Sequence, residues 1–318
     1  MSHSPFSVAM VLAAGRGERM RPLSDVLPKP ALPLPEGPVI ASPLRLAAET
    51  GIRKVVINAC HLADLLVETV AGLEFDDMEI LLSREMGLMG TAGGLALARD
   101  RDLLGDEGPV LVLNGDGVLG LDVDSLIAHH NQGENLVTLA LLPHLAPERW
   151  SRVMLDAAEQ VNHILPPGSP KAREAPFLYP GVMAVSRAAL ESLPSTAGEI
   201  PDRLWRPAQE AGRLGGVVVP GHWREVGTPA DYLEVVLQRL SGKYAIHPSA
   251  EVHPSAFVEA AFVGRNAVLE AGARVVASVV AEGAIVRRGA RIARSILLGT
   301  VEVCADEDVT EEVRTESR

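Results

Sequence analysis

The sequence predicts an α/β fold with a mixed, mostly parallel sheet, followed by a short C-terminal parallel β-helix. Up to about residue 140, short aliphatic runs alternate with helix-like segments, and this alternation is typical of βαβ units that build a parallel sheet. Beyond Lys243, aliphatic residues recur in a fixed register, which predicts a chain wound into stacked coils. We therefore expect two domains and a tail, at residues 1–241, 244–303 and 304–318.

Five strands are predicted in the first domain, and each is a run of aliphatic residues: 7–13, 53–59, 78–83, 109–114 and 136–142. Helices are predicted between them, including Ala41–Thr50, with Gly51 as a C-cap, and Ala92–Arg99. In a Rossmann-like sheet of this kind, ligands bind at the carboxyl ends of the strands. The loops 14–30, 84–91 and 114–117 follow strands, so we expect the site at that edge.

Residues 143–180 are rich in proline and predict a less regular lobe over the sheet, with short strands at 151–155 and 177–185. Such a lobe would hold one of the substrates. A helix is predicted from about 228 to 240, because Thr228 can cap it and Pro229 fits its first turn.

The repeat begins with aliphatic residues at steps of six, six and five, which defines a coil of 17 residues. The aliphatic positions are Ile246, Val252, Val258, Val263, Leu269, Val275, Val280, Val286, Ile292 and Leu298. A small residue stands two positions before each of them from Val252 to Ile292. This pattern resembles the left-handed β-helix of hexapeptide repeats. Ile296 breaks the pattern, which predicts about three coils ending near Val303 and then a solvated acidic tail.

Composition narrows the class of protein. With 47% hydrophobic residues and a net charge of −12, the chain can bury a large core and is a poor partner for nucleic acid or an anionic membrane. Cys60 and Cys304 suggest neither a disulfide framework nor a zinc site. No signal peptide or apolar stretch of 18 residues is evident, so a cytoplasmic location without membrane attachment is expected.

The most informative segment is Val11–Pro30, in which an apolar strand runs into a glycine-rich turn and then into a series of cations. Gly15 and Gly17 let backbone N–H groups approach an anion, while Arg19 and Lys29 supply positive charge. A Walker A loop is excluded because no Gly-Lys-Ser/Thr occurs, and a dinucleotide fingerprint lacks its third glycine and its acid. The segment therefore predicts a cradle for a triphosphate, and a structural turn between strand and helix is the alternative.

The pattern Gly-x-Gly-x-Arg-Met-x-Pro-Leu, followed by Pro-Lys-Pro, resembles the signature of the sugar-1-phosphate nucleotidylyltransferases, and of the mannose-1-phosphate guanylyltransferases among them. The resemblance extends over residues 7 to about 241 and implies the nucleotidyltransferase fold. It departs at Glu18, where the family usually has Thr or Ser. An acid there is expected to point outward or to meet a metal.

The resemblance implies roles for residues of four blocks. Arg19 and Lys29 would be catalytic. The nucleotide would be bound by Leu12, Ala13, Ala14, Gly15, Gly17, Glu85, Gly90 and Thr91, and the sugar by Asn114, Gly181 and Glu225. A carboxylate at Glu85 can accept hydrogen bonds from guanine but would repel the carbonyls of uracil and thymine, which favours GTP slightly. A contact of Glu85 with the sugar or with solvent is the alternative.

Magnesium is the cofactor that the acidic residues indicate. Asp116 follows a predicted strand within Asn-Gly-Asp, and Mg²⁺ commonly uses one or two carboxylates plus phosphate oxygens. A structural turn is the alternative for the tetrapeptide Asn-Gly-Asp-Gly at 114–117. Glu225 lies in Trp223–Pro229, which resembles a family block with a metal-binding Asp, so here the acid is one methylene longer.

The expected reaction is attack of a sugar 1-phosphate on the α-phosphorus of an NTP, which releases pyrophosphate. The phosphate is already largely ionised near neutral pH, so no general base is needed. The family's Glu-Lys-Pro lysine is missing at His163–Pro167, and Lys171, Arg173 and Arg152 are the candidate substitutes. The alternative is an acceptor other than the usual hexose phosphates.

Mannose 1-phosphate and GTP are the leading substrates, and glucose 1-phosphate with dTTP or UTP is the nearest alternative. A catalytically weak regulatory subunit that binds nucleotide sugars is a rival interpretation. We also expect a homo-oligomer, with the β-helix as a candidate interface.

Overall fold

A computed structural model describes residues 6–143, 149–171 and 175–316 of the chain. Contacts divide the chain into two compact units. The first comprises the chain up to Gly15 and Ile40–Arg224, and the second comprises Arg16–Val39 and the chain from Glu225 onward. This division differs from the predicted domains, because the segment after the glycine-rich turn belongs with the repeat.

The α/β prediction is confirmed. Outside the repeat, the described strands are Val8–Leu12, Pro33–Leu34, Gly37–Pro38, Lys54–Ala59, Glu79–Arg84, Val110–Asn114, Gly117–Leu121, Val137–Pro143, Arg152–Leu155, Val161–Leu165, Phe177–Leu178, Val182–Val185, Leu214–Val218 and Gly221–Glu225. The helices of four or more residues are Leu23–Val26, Ala41–Glu49, Ala63–Ala71, Gly90–Asp100, Asp124–Gln132, Arg187–Glu191, Arg206–Glu210 and Pro229–Leu240, together with a π-helical turn at Pro201–Trp205. Short 3₁₀ turns lie at Glu18–Met20 and Lys29–Ala31.

The centre of the first unit is a mixed sheet. Strand Val8–Leu12 lies between Lys54–Ala59 and Val110–Asn114, and all three run parallel. Its side chains alternate between two hydrophobic clusters, with Val8 and Met10 in one and Val11 in the other. Burial on both faces explains why these strands read as continuous apolar runs.

The proline-rich region extends this sheet. Arg152–Leu155 and Val161–Leu165 form an antiparallel pair, and Phe177–Leu178 joins them to Val137–Pro143. The prediction of an irregular lobe over the sheet is therefore wrong for the described residues. The predicted strand at 177–185 is two strands, because Gly181 adopts a positive φ of 90° between them.

The second unit begins inside the glycine-rich turn, at Arg16. Helix Pro229–Leu240 is capped by the Thr228 side chain, as predicted, and its Tyr232 is completely buried. The Tyr232 hydroxyl donates to the Pro33 carbonyl at 2.6 Å, and Arg239 pairs with Glu36 at 3.1 Å. These contacts explain why residues 16–39 cluster with the later part of the chain.

The repeat forms three stacks of parallel strands, as a β-helix requires. Its strands are Ala245–Ile246, Glu251–Val252, Phe257–Glu259, Phe262–Val263, Val268–Leu269, Arg274–Val276, Val279–Val280, Ile285–Val286, Arg291–Ala293, Ile296–Leu298, Glu302–Val303, Asp308–Thr310 and Val313–Thr315. Val263 pairs with Val280, and Val280 pairs with Leu297, so each coil spans 17 residues. Its left-handedness stays a prediction.

The predicted end of the repeat is wrong. Asp308–Thr310 and Val313–Thr315 pair with the coil below them, so the acidic segment after Val303 continues the repeat through residue 315. The residue that faces the interior is Leu297, not Leu298, because the step after Ile292 is five. The small residue two positions earlier is then Ser295, which is completely buried, and Ile296 breaks no rule.

Among the described residues, no helix combines the length and the apolarity that crossing a bilayer requires.

Stability is expected to depend on pH through His130. This residue is 5% exposed, and its Nδ1 lies 2.8 Å from the Thr138 hydroxyl. Burial, followed by the charge of His129, lowers the pKa of His130 to about 4 from its ordinary value of 6.5. Below pH 6.5 the unfolded chain therefore binds the proton more readily, so the free energy of unfolding falls by up to about 3 kcal/mol as the pH drops toward 4.

Urea unfolding of the native protein and of His130→Gln between pH 4 and 7 measures this effect. The pH slope is expected to be smaller in His130→Gln, whereas His163→Gln, which replaces an exposed histidine, should leave it unchanged. Equal slopes in the native protein and His130→Gln would contradict the assignment.

Candidate functional site

In the first unit, the strand ends form one edge of the sheet. Leu12 lies beside Asn58 on one side and beside Asn114 on the other. The Gly115 N–H donates to the Leu12 carbonyl at 2.8 Å, which holds the loop after Asn114 against the start of the glycine-rich turn. The loops that the sequence singled out thus begin at one edge.

The glycine-rich turn starts buried and then emerges. Leu12, Ala13 and Ala14 are 9%, 5% and 7% exposed, whereas Gly15 is exposed. A Cβ added at Gly15 would meet no atom within 4 Å. The backbone at Gly15 is therefore open to a ligand from solvent.

Glu85 is buried, with 6% of its surface exposed, and both of its carboxylate oxygens accept hydrogen bonds from the protein. The Asn58 side-chain amide donates to Oε1 at 2.7 Å, and the Met89 N–H donates to Oε2 at 3.0 Å. The predicted contact with guanine therefore competes with internal hydrogen bonds.

The start of helix Gly90–Asp100 is also capped internally. The Gly198 carbonyl accepts from the N–H groups of Ala92 and Gly93 at 2.9 and 3.2 Å. Thr91 donates through its hydroxyl to Glu199 at 2.6 Å, and its N–H points to the same carboxylate at 3.2 Å. The donors of Thr91 thus face the protein in this structure, and a nucleotide contact at Gly90 and Thr91 stays a prediction.

Asp116 follows the strand Val110–Asn114 and is half-buried. Burial, and next the charge of Asp116, raise the pKa of the Tyr179 hydroxyl above its ordinary range. The Asn114 N–H donates to the Gly181 carbonyl at 2.7 Å. The structure therefore brings together Asn114 and Gly181, two of the residues expected near the sugar, and the charge of Asp116 acts on Tyr179 beside them.

The second unit carries the cations of the signature loop. Gly17 adopts a left-handed φ of 62°, and its carbonyl accepts from the Ser24 hydroxyl at 2.8 Å. A Cβ at Gly17 would lie 3.5 Å from the Cβ of Lys29, so the turn packs directly against this lysine. Lys29 is only 7% exposed, while Glu18 is exposed.

Arg19 and Glu225 form an ion pair within this unit. Arg19 Nη2 lies 2.8 Å from Glu225 Oε1, and the two side chains are 67% and 13% exposed. The predicted catalytic cation and the second predicted metal ligand therefore contact each other. Such a partly exposed pair contributes at most about 1 kcal/mol, so a triphosphate or a metal ion can displace either partner.

The candidate substitutes for the missing lysine have different surroundings. Arg152 is 3% exposed, and its Nε donates to the Ala175 carbonyl at 2.8 Å. It lies opposite Leu165 on the neighbouring strand, beside the prolines where the family's lysine is absent. Lys171 is exposed, and Arg173 lies outside the described residues.

Asp116 and Glu225 are the two acidic side chains that the sequence predicted as magnesium ligands. Within the described ranges, no three His, Cys, Asp or Glu side chains group together to hold a metal ion. Magnesium needs no such group, since it takes one or two carboxylates and completes its shell with phosphate oxygens and water. Asp116 belongs to the first unit and Glu225 to the second, and each supplies the carboxylate oxygens that magnesium prefers, so a shared metal site stays a prediction.

Two functional candidates escaped the sequence analysis. Asn58 joins Glu85 to the Ala13 N–H, which donates to Asn58 Oδ1 at 2.7 Å, and Glu199 caps the helix at Thr91. An amide at the end of an apolar strand was a signal for Asn58, because a polar side chain there must find partners. Glu199 carries no such local signal.

Comparisons with known proteins bear on the family of the chain. A nucleotidyl transferase family model matches residues 8–242. A probable mannose-1-phosphate guanylyltransferase 2 of Arabidopsis thaliana is 27% identical over 71% of this chain and 63% of its own length. The mannose-1-phosphate guanylyltransferase catalytic subunits beta of Danio rerio and Xenopus tropicalis are 26% and 24% identical, over 71% and 76% of this chain and 62% and 66% of their own lengths. The chain thus spans less than two thirds of these relatives.

Proposed function

Because the chain belongs to the nucleotidyl transferase family, we propose that it transfers a nucleotidyl group from an NTP to a sugar 1-phosphate and releases pyrophosphate. GTP and mannose 1-phosphate are the proposed substrates. The observation that carries this proposal is the family match over residues 8–242, together with relatives named mannose-1-phosphate guanylyltransferase. The preference for guanine rests on those relatives, since Glu85 is occupied by internal hydrogen bonds.

This reaction requires the protein to position the two substrates and to supply positive charge to their phosphates. An oxygen of the sugar phosphate forms a bond to the α-phosphorus as the bond to the β-phosphate oxygen breaks, and pyrophosphate leaves. The attacking phosphate is largely ionised already, so no side chain needs to remove a proton. Backbone N–H groups at Gly15 and the cations Arg19 and Lys29 would stabilise charge on the phosphates.

Enzymes of this family generally use a divalent metal ion, and we propose magnesium here. Asp116 and Glu225 would hold it, with phosphate oxygens as further ligands. When bound, the ion would neutralise charge that develops on the phosphate oxygens. Glu225 would first exchange its ion pair with Arg19 for the metal, and the released Arg19 would be available to the phosphates.

The Arg19–Glu225 pair also favours a second candidate function. If the pair persists when nucleotide is bound, the protein would bind a nucleotide sugar and catalyse poorly, as a regulatory subunit. Glucose 1-phosphate with dTTP or UTP is the remaining alternative for the substrates. A cytoplasmic location and a homo-oligomer assembled through the β-helix stay predictions.

Pyrophosphate release tests the proposed function. The protein is incubated with Mg²⁺, each NTP or dTTP in turn, and a panel of sugar 1-phosphates, with an EDTA control and a control without sugar phosphate. Fastest release with GTP and mannose 1-phosphate is expected. Release with no pair, combined with tight binding of GDP-mannose by calorimetry, would favour the regulatory subunit instead.

A Gly15→Ala variant separates ligand binding from folding. The added methyl group meets no protein atom, so the melting temperature is expected to stay unchanged. The methyl group would stand where backbone N–H groups approach the phosphates, and the loss of one charge-assisted hydrogen bond should raise the KM for the NTP roughly tenfold. Gly72→Ala, at a helix end with room for a methyl group, is the matched control. An unchanged KM in Gly15→Ala would remove Gly15 from the nucleotide site.

A further inference from the structure

We propose that Asn58 is a positioning residue, which fixes the nucleotide-binding turn by tying the Ala13 N–H to the Glu85 carboxylate, and that Glu85 acts through Asn58 instead of contacting the base. This inference rests on the proposed function for its kinetic test. Its structural test does not depend on catalysis.

The hydrogen bonds converge on the Glu85 carboxylate, which accepts one at each of its two oxygens. Ala13 N–H donates to Asn58 Oδ1 at 2.7 Å, and Asn58 Nδ2 donates to Glu85 Oε1 at 2.7 Å. Met89 N–H donates to Glu85 Oε2 at 3.0 Å. One amide thus links the start of the glycine-rich turn to the loop after Glu79–Arg84, the two loops in which the sequence predicted nucleotide contacts.

The network is buried, so the loss of any one of its hydrogen bonds is costly. Asn58 is 2% exposed and Glu85 is 6% exposed, so a lost hydrogen bond cannot be replaced easily by water. Among the described residues, no buried side-chain nitrogen or oxygen lacks a hydrogen-bond partner. The orientation of the Asn58 amide is also determined, because Ala13 needs an acceptor and the carboxylate needs a donor.

Gly94, in the helix Gly90–Asp100, packs against the Asn58 and Glu85 side chains. A Cβ at this position would lie 2.5 Å from Asn58 Nδ2 and 2.6 Å from Glu85 Oε1. Both distances are below any ordinary contact, so a larger residue at Gly94 would push the amide away from the carboxylate. The glycine thus lets the helix backbone pack directly onto the Asn58–Glu85 pair.

Exchanging the chemical groups of the pair provides the test. In Asn58→Asp, two carboxylates face each other at the position of the 2.7 Å bond, and in Glu85→Gln two donors compete for one acceptor. Each single variant should lose roughly 10- to 100-fold in kcat/KM for the NTP. In the double variant Asn58→Asp/Glu85→Gln, the amide of Gln donates to the carboxylate of Asp, and all three hydrogen bonds can form again. Recovery to within about threefold of the native value is expected.

Base preference distinguishes this proposal from direct recognition of guanine. The ratio of kcat/KM for GTP to that for UTP is expected to be the same in the native protein and in the double variant. If Glu85→Gln lowers this ratio and the double variant does not restore it, Glu85 contacts the base and the proposal is wrong. A double variant no more active than the weaker single variant would also overturn it. Glu79→Gln is the control for the loss of a carboxylate in itself, because Glu79 is exposed at the start of the strand Glu79–Arg84, which precedes Glu85.

Hydrogen exchange at the Ala13 amide tests the network without requiring catalytic activity. If the native protein releases no pyrophosphate with any substrate pair, the proposed function fails, but exchange still tests the network. Faster exchange in each single variant and native exchange in the double variant would support it. Native exchange in both single variants would overturn it. If the single variants are insoluble and the double variant folds, that rescue also supports the pairing.

Discussion

The Asp116→Asn variant is expected to fold like the native protein and to lose on the order of 10³-fold in the rate of pyrophosphate release. Asparagine has nearly the same size as aspartate, so packing at the strand end changes little. The substitution removes the negative charge that would hold magnesium beside the phosphates, an interaction of several kcal/mol. Initial rates over a range of Mg²⁺ concentrations, with circular dichroism and melting temperature as folding checks, measure the effect.

A matched exposed aspartate provides the control for this experiment. Asp106 lies in the loop before the strand Val110–Asn114, and Asp106→Asn should keep the native rate and the native dependence on Mg²⁺. If the Asp116→Asn enzyme retains more than a tenth of the native rate, with the same dependence on Mg²⁺, Asp116 is not a ligand of the metal ion. The turn-forming role of Asn-Gly-Asp would then be the better account of this residue.

The central strands were predictable because burial on both faces leaves an unambiguous trace. Val8–Leu12 is apolar throughout and Val110–Asn114 is apolar up to its last residue, and each boundary falls within a residue or two of the prediction. The sequence did not predict Gly117–Leu121, which contains two glycines, or Gly221–Glu225, which contains a glycine and polar residues. Gly117 packs against Trp223, where a Cβ would lie 2.8 Å from the indole nitrogen, and Gly120 packs against His222. A partner about 100 residues away cannot be seen in a local pattern.

The predicted length of the β-helix was too short because one interior position, the one after Ile292, was placed one residue too late. Counting a step of six to Leu298, instead of five to Leu297, made Ile296 seem to violate the small-residue rule. In the structure, Ser278 and Ser295 occupy the same corner in successive coils, and the Ser295 N–H donates to the Ser278 hydroxyl at 3.1 Å. After that corner, acidic residues on the outer face obscure the inner positions Val303 and Val309, both completely buried.

Residues of the candidate site were predictable as far as strand ends determine them. Leu12, Asn114 and Glu85 follow or end strands and lie at one edge in the first unit. What the sequence did not reveal is which groups are already occupied. Thr91 contacts Glu199, which is 108 residues away, and Glu85 contacts Asn58, so the free hydrogen-bonding capacity of each depends on tertiary partners.

A Val309→Asp variant is expected to lose several kcal/mol in free energy of unfolding of the repeat at pH 7. Val309 is completely buried inside the last coil and pairs through its strand with Ile292. A carboxylate there has no partner in the apolar interior, which costs roughly 3 kcal/mol or more and raises its pKa. Because a raised pKa makes the neutral form the stable one, the deficit relative to the native protein should be larger at pH 7 than at pH 5. Urea unfolding at both pH values measures it.

Thr310→Asp places the same charge one residue along the same strand but on the exposed face, and we expect it to unfold like the native protein. If Val309→Asp does not fold, Val309→Ala tests the same interior with a smaller deficit and no dependence on pH. The strand Val313–Thr315 of this coil contacts the helix Leu23–Val26, which lies between Arg19 and Lys29 in the chain. Loss of the coil should therefore also lower pyrophosphate release, whereas a solvated tail would tolerate either substitution at Val309 without any change in stability or rate.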